Sequence, residues 1–280
     1  MDPLVVAAML AASLLHASWH ALVKASEDRV IALAGMNVVS GVCALALLPL
    51  AGGLPAAAWA VIAGSVLLHA GYKIALARLY LLADLGQAYP LARGLTPIFA
   101  AALAFALLSE VPGTAVLAGL ALISTGIVLL AFEKRDSRIS FAAAIAALVT
   151  SGTVAAYSVV DAYGVRLTGD WFSFTVWLVA ADSALFVSYS LITRGAPVLL
   201  AWRSGWQRVL LSGGLGVTSF SVFMWALGKA PVGPVSALRE TSILFAAIIG
   251  VLVLRETPSR IRIAAAAAVM CGVGAIALAG

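Results

Sequence analysis

Residues Gln87–Pro112 read QAYPLARGLTPIFAAALAFALLSEVP, and 146 positions later Gly233–Pro258 read GPVSALRETSILFAAIIGVLVLRETP. Arg93 falls on Arg239, Phe99-Ala100-Ala101 on Phe245-Ala246-Ala247, Glu110 on Glu256 and Pro112 on Pro258. Each copy therefore sets Arg and Glu 17 residues apart. One apolar segment written twice at a fixed shift marks a duplicated unit.

Working outward from that pair, 63% of the 280 residues are hydrophobic and only 10% are charged. Too few polar side chains remain to cover a water-soluble globule, so the solvent is a bilayer. Apolar runs of bilayer-crossing length fall at 4–23, 30–50, 56–81, 86–108, 113–132, 140–161, 171–193, 206–228, 232–253 and 261–279. They predict an all-α polytopic membrane protein with ten transmembrane helices. A β-barrel would instead show short alternating strands. The first run lacks a basic leader and is interrupted by polar residues, so it is expected to stay in the mature protein. Cys43 and Cys271 lie in apolar runs, with no disulfide or metal spacing.

The ten spans divide five and five. The first repeat is expected over 1–132, a charged linker over 133–139 and the second repeat over 140–280. An odd number per half makes the second copy enter from the opposite side, giving two inverted five-helix repeats. Twelve of the 17 Lys and Arg residues gather on one face and two, Arg166 and Lys229, on the other; Lys73, Arg93 and Arg239 lie within spans. The positive-inside rule makes the first face cytoplasmic and points both termini outward, to the periplasmic side of a bacterial inner membrane. Pro90 and Pro97 lie inside the fourth span, where the second copy has Ser236 and Ile243. The first copy is thus expected to be the more bent and to do more of the gating.

The junctions Ser109-Glu110-Val111-Pro112 and Arg255-Glu256-Thr257-Pro258, each followed by a Gly/Ala-rich span (Gly119, Gly126; Gly272, Gly274), resemble the EamA type of the drug/metabolite transporter superfamily. That resemblance covers nearly the whole chain. It implies an alternating-access carrier, commonly an exporter, with a central cavity between two five-helix halves. The Trp, Tyr and His content of the spans is similar to that of YddG-type exporters of aromatic amino acids.

Polar residues inside spans must face a cavity or each other, which makes them the candidate substrate-binding or gating set. His16, Trp19 and His20 share one face of the first span, and His69, Tyr72, Lys73 and Tyr80 one face of the third. Tyr89 and Arg93 face one way on the fourth. Arg93 either clamps a substrate carboxylate, with Tyr72, Tyr89 and Trp19 as amphipathic walls, or is paired within the protein and fixes packing. Arg239 and Glu240 point apart and are each expected to find a partner on another span, with Asp161 or Tyr157 as candidates for Arg239. Arg93 and Arg239 at equivalent depths suggest gates at opposite mouths. Ser236 completes the polar face of the ninth span. Asp182 reads as a neutral buried acid or a proton-coupling site, and Asp161 as a hydrated residue near a membrane edge. His16 and His20 have metal-ligand spacing, but a proton-responsive or substrate-lining pair, or plain packing against a cavity, fits better than a metal site.

Trp171, Phe172, Trp202 and Trp206 mark span ends, while Trp19, Trp177 and Trp225 lie deeper and are candidates for substrate contact. Gly64, Gly71, Gly94, Gly119 and Gly216 are expected to permit close helix packing. No enzyme-like nucleophile, acid–base pair or phosphate-binding loop is recognisable, and the mixed polar residues do not make the charged ring of a channel. The expectation is a non-enzymatic secondary transporter of small organic metabolites, most simply aromatic or hydrophobic amino acids, acting as a monomer. Membrane lipid and an amino-acid-like solute are its partners, with no nucleic acid and no cofactor. A proton-coupled drug or cation exporter of the same superfamily is the alternative, with an intramembrane enzyme or channel behind it.

Overall fold

Lipid offers the backbone no hydrogen bonds, so apolar segments of this length satisfy their amides internally and become helices. The computed structural model describes residues 1–24, 26, 29–82, 85–133, 139–195, 197–254 and 259–279. Among them α1 (Pro3–Lys24), α2 (Arg29–Leu47), α3 (Ala56–Leu82), α4 (Leu85–Leu108) and α5 (Thr114–Leu130) form the first half. The second half holds α6 (Phe141–Thr168), α7 (Trp171–Arg194), α8 (Pro197–Leu227), α9 (Val232–Glu240), α10 (Ser242–Leu254) and α11 (Arg260–Leu278). Eight of these contain stretches long and apolar enough to cross a membrane. The shorter α5 and the broken pair α9–α10 complete ten crossings. Linker residues 134–138, the second junction at 255–258 and the side chains of Tyr80 and Trp202 lie outside the described residues.

Helix ends follow local chemistry. Ser140, Asp170 and Ser259 cap α6, α7 and α11, each side chain accepting a backbone N–H of the first turn. Gly169 ends α6 with φ +65°, a conformation that costs glycine little.

The packing obeys a two-fold exchange of α1 with α6, α2 with α7, α3 with α8, α4 with α9–α10, and α5 with α11. The α3/α6 contact maps onto α8/α1, α3/α7 onto α8/α2 and α4/α6 onto the α1 contacts with α9–α10. The α2/α7, α4/α9 and α5/α11 contacts map onto themselves. The sequence shift reappears in the side chains. A Cβ on Gly119 would meet Gly272 O at 2.8 Å, and one on Gly126 would meet Ala265 O at 2.8 Å. Adding 146 turns Gly119 into Ala265 and Gly126 into Gly272, so these are one contact seen twice. Such close backbone approach is the role small residues play between membrane helices. Gly64 does not share it, for nothing lies within 4 Å of its Cβ position.

The unequal bending runs opposite to the expectation. Helix α4 continues unbroken through Pro90 and Pro97. The second copy breaks at Thr241, because the Leu238 carbonyl is taken by Thr241 N–H at 3.2 Å, Thr241 Oγ1 at 2.6 Å and Ser13 Oγ of α1 at 2.7 Å. Hydroxyls that capture a helix carbonyl interrupt the regular ladder as effectively as a missing N–H.

Candidate functional site

Arg93 sits eight residues inside α4 and Glu240 at the end of α9, and the crossing of these helices buries both side chains to 1% exposure. Arg93 Nε lies 2.6 Å from Glu240 Oε2. The N–H is not aimed along that line, so the contact is an ion pair without an aligned hydrogen bond. Arg93 is therefore held by the protein itself, and its carboxylate-clamp reading loses ground to the packing one.

The duplicated position tells the complementary story. Shifted by 146, Glu240 becomes Gly94, so the pair Arg93–Glu240 would map onto Arg239–Gly94, which has no acid. Arg239 instead lies over Phe223, its guanidinium carbon 4.3 Å from the ring centroid, and 5.8 Å from that of Tyr157. Among the described residues its buried NH1 has no hydrogen-bond partner, and neither does the buried Ser236 Oγ. Ser236 and Arg239 stand at i and i+3, so α9 presents an unsatisfied donor and an unsatisfied hydroxyl along one face. Of the two partners expected for Arg239, only Tyr157 is found beside it.

On α1, Trp19 Nε1 donates to His16 Nδ1 at 3.3 Å, and the Nε2 atoms of His16 and His20 are 3.1 Å apart. Tyr89 OH lies 3.4 Å from His20 Nε2. With His16 Nδ1 accepting, a neutral His16 carries its proton on Nε2 and donates it to His20. Arg93 NH2 faces that same Nε2 at 3.3 Å, so one ring atom cannot satisfy both neighbours. Arg93 meets both His16 and Glu240, and Arg239 adjoins Glu240 on α9, so the two arginines border one cluster between α1, α4 and α9.

Asp161, expected at a hydrated edge, is wholly buried. Ser65 Oγ donates to its Oδ1, and His69 Nε2 lies 3.2 Å from its Oδ2. His69 stacks on Tyr157 with centroids 4.1 Å apart and meets Phe220 edge-on at 5.7 Å. Tyr72 closes the aromatic group at 5.9 Å from Tyr157. Asp182 is not a lone neutral acid. Lys73 Nζ reaches both of its oxygens, at 3.1 and 3.0 Å, and sits 4.2 Å from the Phe186 centroid. Periodicity along α3 put His69 and Lys73 on one face, but their partners lie on different helices, α6 and α7.

At the end of the bundle that carries both termini, Ser109 ends α4 with φ +55°. Glu110, following it, takes Arg166 NH1 at 2.6 Å and accepts Val232 N–H at 2.8 Å. Arg166 also donates to the Leu227 and Ala230 carbonyls, both at 3.1 Å. A first-half carboxylate thus caps α9 and ties down α6, closing this end across the repeat boundary. Sequence reading used Glu110 and Arg166 only for register and topology. Trp177 belongs to this end as well. Its Nε1 donates to Gly52 O at 3.3 Å and its ring meets Trp59 at 5.0 Å, so it lines a loop and not the central cluster.

Ten apolar crossings related by an inverted two-fold, with charged and aromatic side chains gathered where the halves meet, define a helical membrane protein with a polar centre. Over the second half, residues 141–278 are similar to the EamA-like transporter family. No curated protein matches the chain. Among solved structures, one described only as "Crystal structure of protein" shares 18% identity, with a TM-score of 0.76 over 98% of this chain and 96% of that one. That likeness extends the fold to both halves.

Proposed function

We propose that the chain is an alternating-access secondary transporter that exports small organic metabolites, namely aromatic or hydrophobic amino acids. The observation that carries this reading is the α9 face. Arg239 NH1 is free to take a carboxylate, Ser236 Oγ is free to take an ammonium, and Phe223 and Tyr157 flank them with apolar rings. A zwitterion with an aromatic side chain matches that donor, acceptor and ring pattern, which a simple cation or a neutral drug does not. The end closure by the partly exposed Glu110 and Arg166 supports a carrier that exposes its centre toward one side at a time. The basic loops gather at the other end of the bundle, which supports a cytoplasmic face there in a bacterial inner membrane.

Reconstituted into liposomes, the chain is expected to exchange labelled phenylalanine and tryptophan. Arg239→Ala should weaken apparent affinity by roughly tenfold or more, the value of a lost charge-assisted hydrogen bond of about 1.5–3 kcal/mol. Its thermal melting should change little, because Arg239 has no ion-pair partner among the described residues to strand. Exchange of neither amino acid by the wild type would sink the substrate, and undiminished exchange by Arg239→Ala would remove Arg239 from the site.

A further inference from the structure

We infer that His69 and Asp161 form the proton-binding site of this carrier, an inference that rests on the transport reading above. The other ion pairs among the described residues join groups that are charged without help: Arg93 with Glu240, Lys73 with Asp182, Glu110 with Arg166 and Glu133 with Arg262. Asp161 differs. It is wholly buried, and its described contacts are a serine hydroxyl and an imidazole. A hydroxyl cannot neutralise a carboxylate, and an imidazole does so only by holding a second proton.

The pair is neutral when it holds two labile protons, as a carboxylic acid beside a neutral imidazole or a carboxylate beside an imidazolium, and bears a buried negative charge once one of them is lost. An uncompensated buried carboxylate is costly, so the closed protein keeps the second proton and gives it up to water only when the site opens. That proton enters from water at Asp161 Oδ2 or His69 Nε2 and leaves the same way, with no other bond made or broken. Its neighbours are few. Tyr157 of α6 and Tyr72 of α3 face His69, Phe220 of α8 adds no charge, Lys73 one turn along α3 is committed to Asp182 of α7, and Arg239 of α9 lies on the Tyr157 ring. Tyr157 therefore lies between the proton site and the proposed carboxylate site.

Two measurements on the full chain test this. In proteoliposomes, a gradient of one pH unit should change net phenylalanine accumulation about tenfold if one proton moves per substrate. In Asp161→Asn, and independently in His69→Gln, the ratio of gradient-driven accumulation to exchange should fall by that factor. Wild-type exchange that ignores the gradient, or variants that respond as the wild type does, would overturn the site. Potentiometric titration of the detergent-purified chain needs no substrate. Each variant should bind about one proton fewer than the wild type, and equal uptake overturns the inference. Absent wild-type exchange with that proton still missing would fault the substrate and leave the proton site standing.

Discussion

Helix α4 and the broken pair α9–α10 are the same segment used twice, yet one arginine is neutralised and the other is not. The difference turns on one residue, Glu240 in the second copy against Gly94 in the first. Because the two-fold brings the copies together at their middles, the single acid serves the arginine of the opposite copy. The arginine beside it is left with an open donor. A symmetric fold thereby acquires one structural and one available guanidinium without needing two different scaffolds.

The largest break in this comparison should come from Glu240→Leu, which strands Arg93 in a buried site at a cost of about 3–5 kcal/mol. Thermal melting in detergent should drop sharply, and the double variant Arg93→Leu/Glu240→Leu should recover most of it. A single variant melting like the wild type would mean the pair contributes nothing.

Next is Gly94→Ala. Its Cβ would meet Val128 Cγ2 at 2.6 Å and Val128 N at 3.0 Å, so about 1–3 kcal/mol of overpacking is expected in the same melt. That crowding is also why the first copy has no room for an acid of its own. Gly272→Ala, meeting Gly119 O at 2.7 Å, should cost a similar amount and sharpen the equivalence of the α5/α11 contacts.

Glu110→Gln tests how the first copy holds the second. Without its charge, Arg166 and the first turn of α9 are held less firmly, so a cysteine placed at Ala230 should react severalfold faster with a water-soluble reagent. An unchanged labelling rate would show that packing alone closes that end.

The smallest effect belongs to Asp170, outside both copies. Its cap hydrogen bonds from Ser173 and Phe172 hold its carboxyl below the usual range. A lowered folded value stabilises above the unfolded pKa of about 4 and is lost as pH falls through the folded one. Asp170→Ala should cost about 1 kcal/mol at neutral pH, and its melting deficit should shrink in acid.

How much was legible differs by scale. The ten crossings, the inverted repeat and the polar faces of α1, α3, α4 and α9 were readable, because hydropathy and a fixed shift are properties of local sequence. His16, Trp19 and His20 were grouped correctly by helical spacing alone. Asp161 and Asp182 were misread because the partner of each lies about a hundred residues away. The helix break was misplaced because prolines are visible in a sequence, while a carbonyl captured by Ser13 from another helix is not.

By itself, then, the sequence determined the solvent, the number of crossings and the duplication, all of which depend on transfer free energies and periodicity along one helix. Only the tertiary structure decided that Arg93 is spent on Glu240, that Arg239 lies over Phe223 and that Asp161 meets the imidazole of His69. Those pairings join helices distant in the chain, and whether a buried charge is satisfied depends on which helix crosses it at that depth.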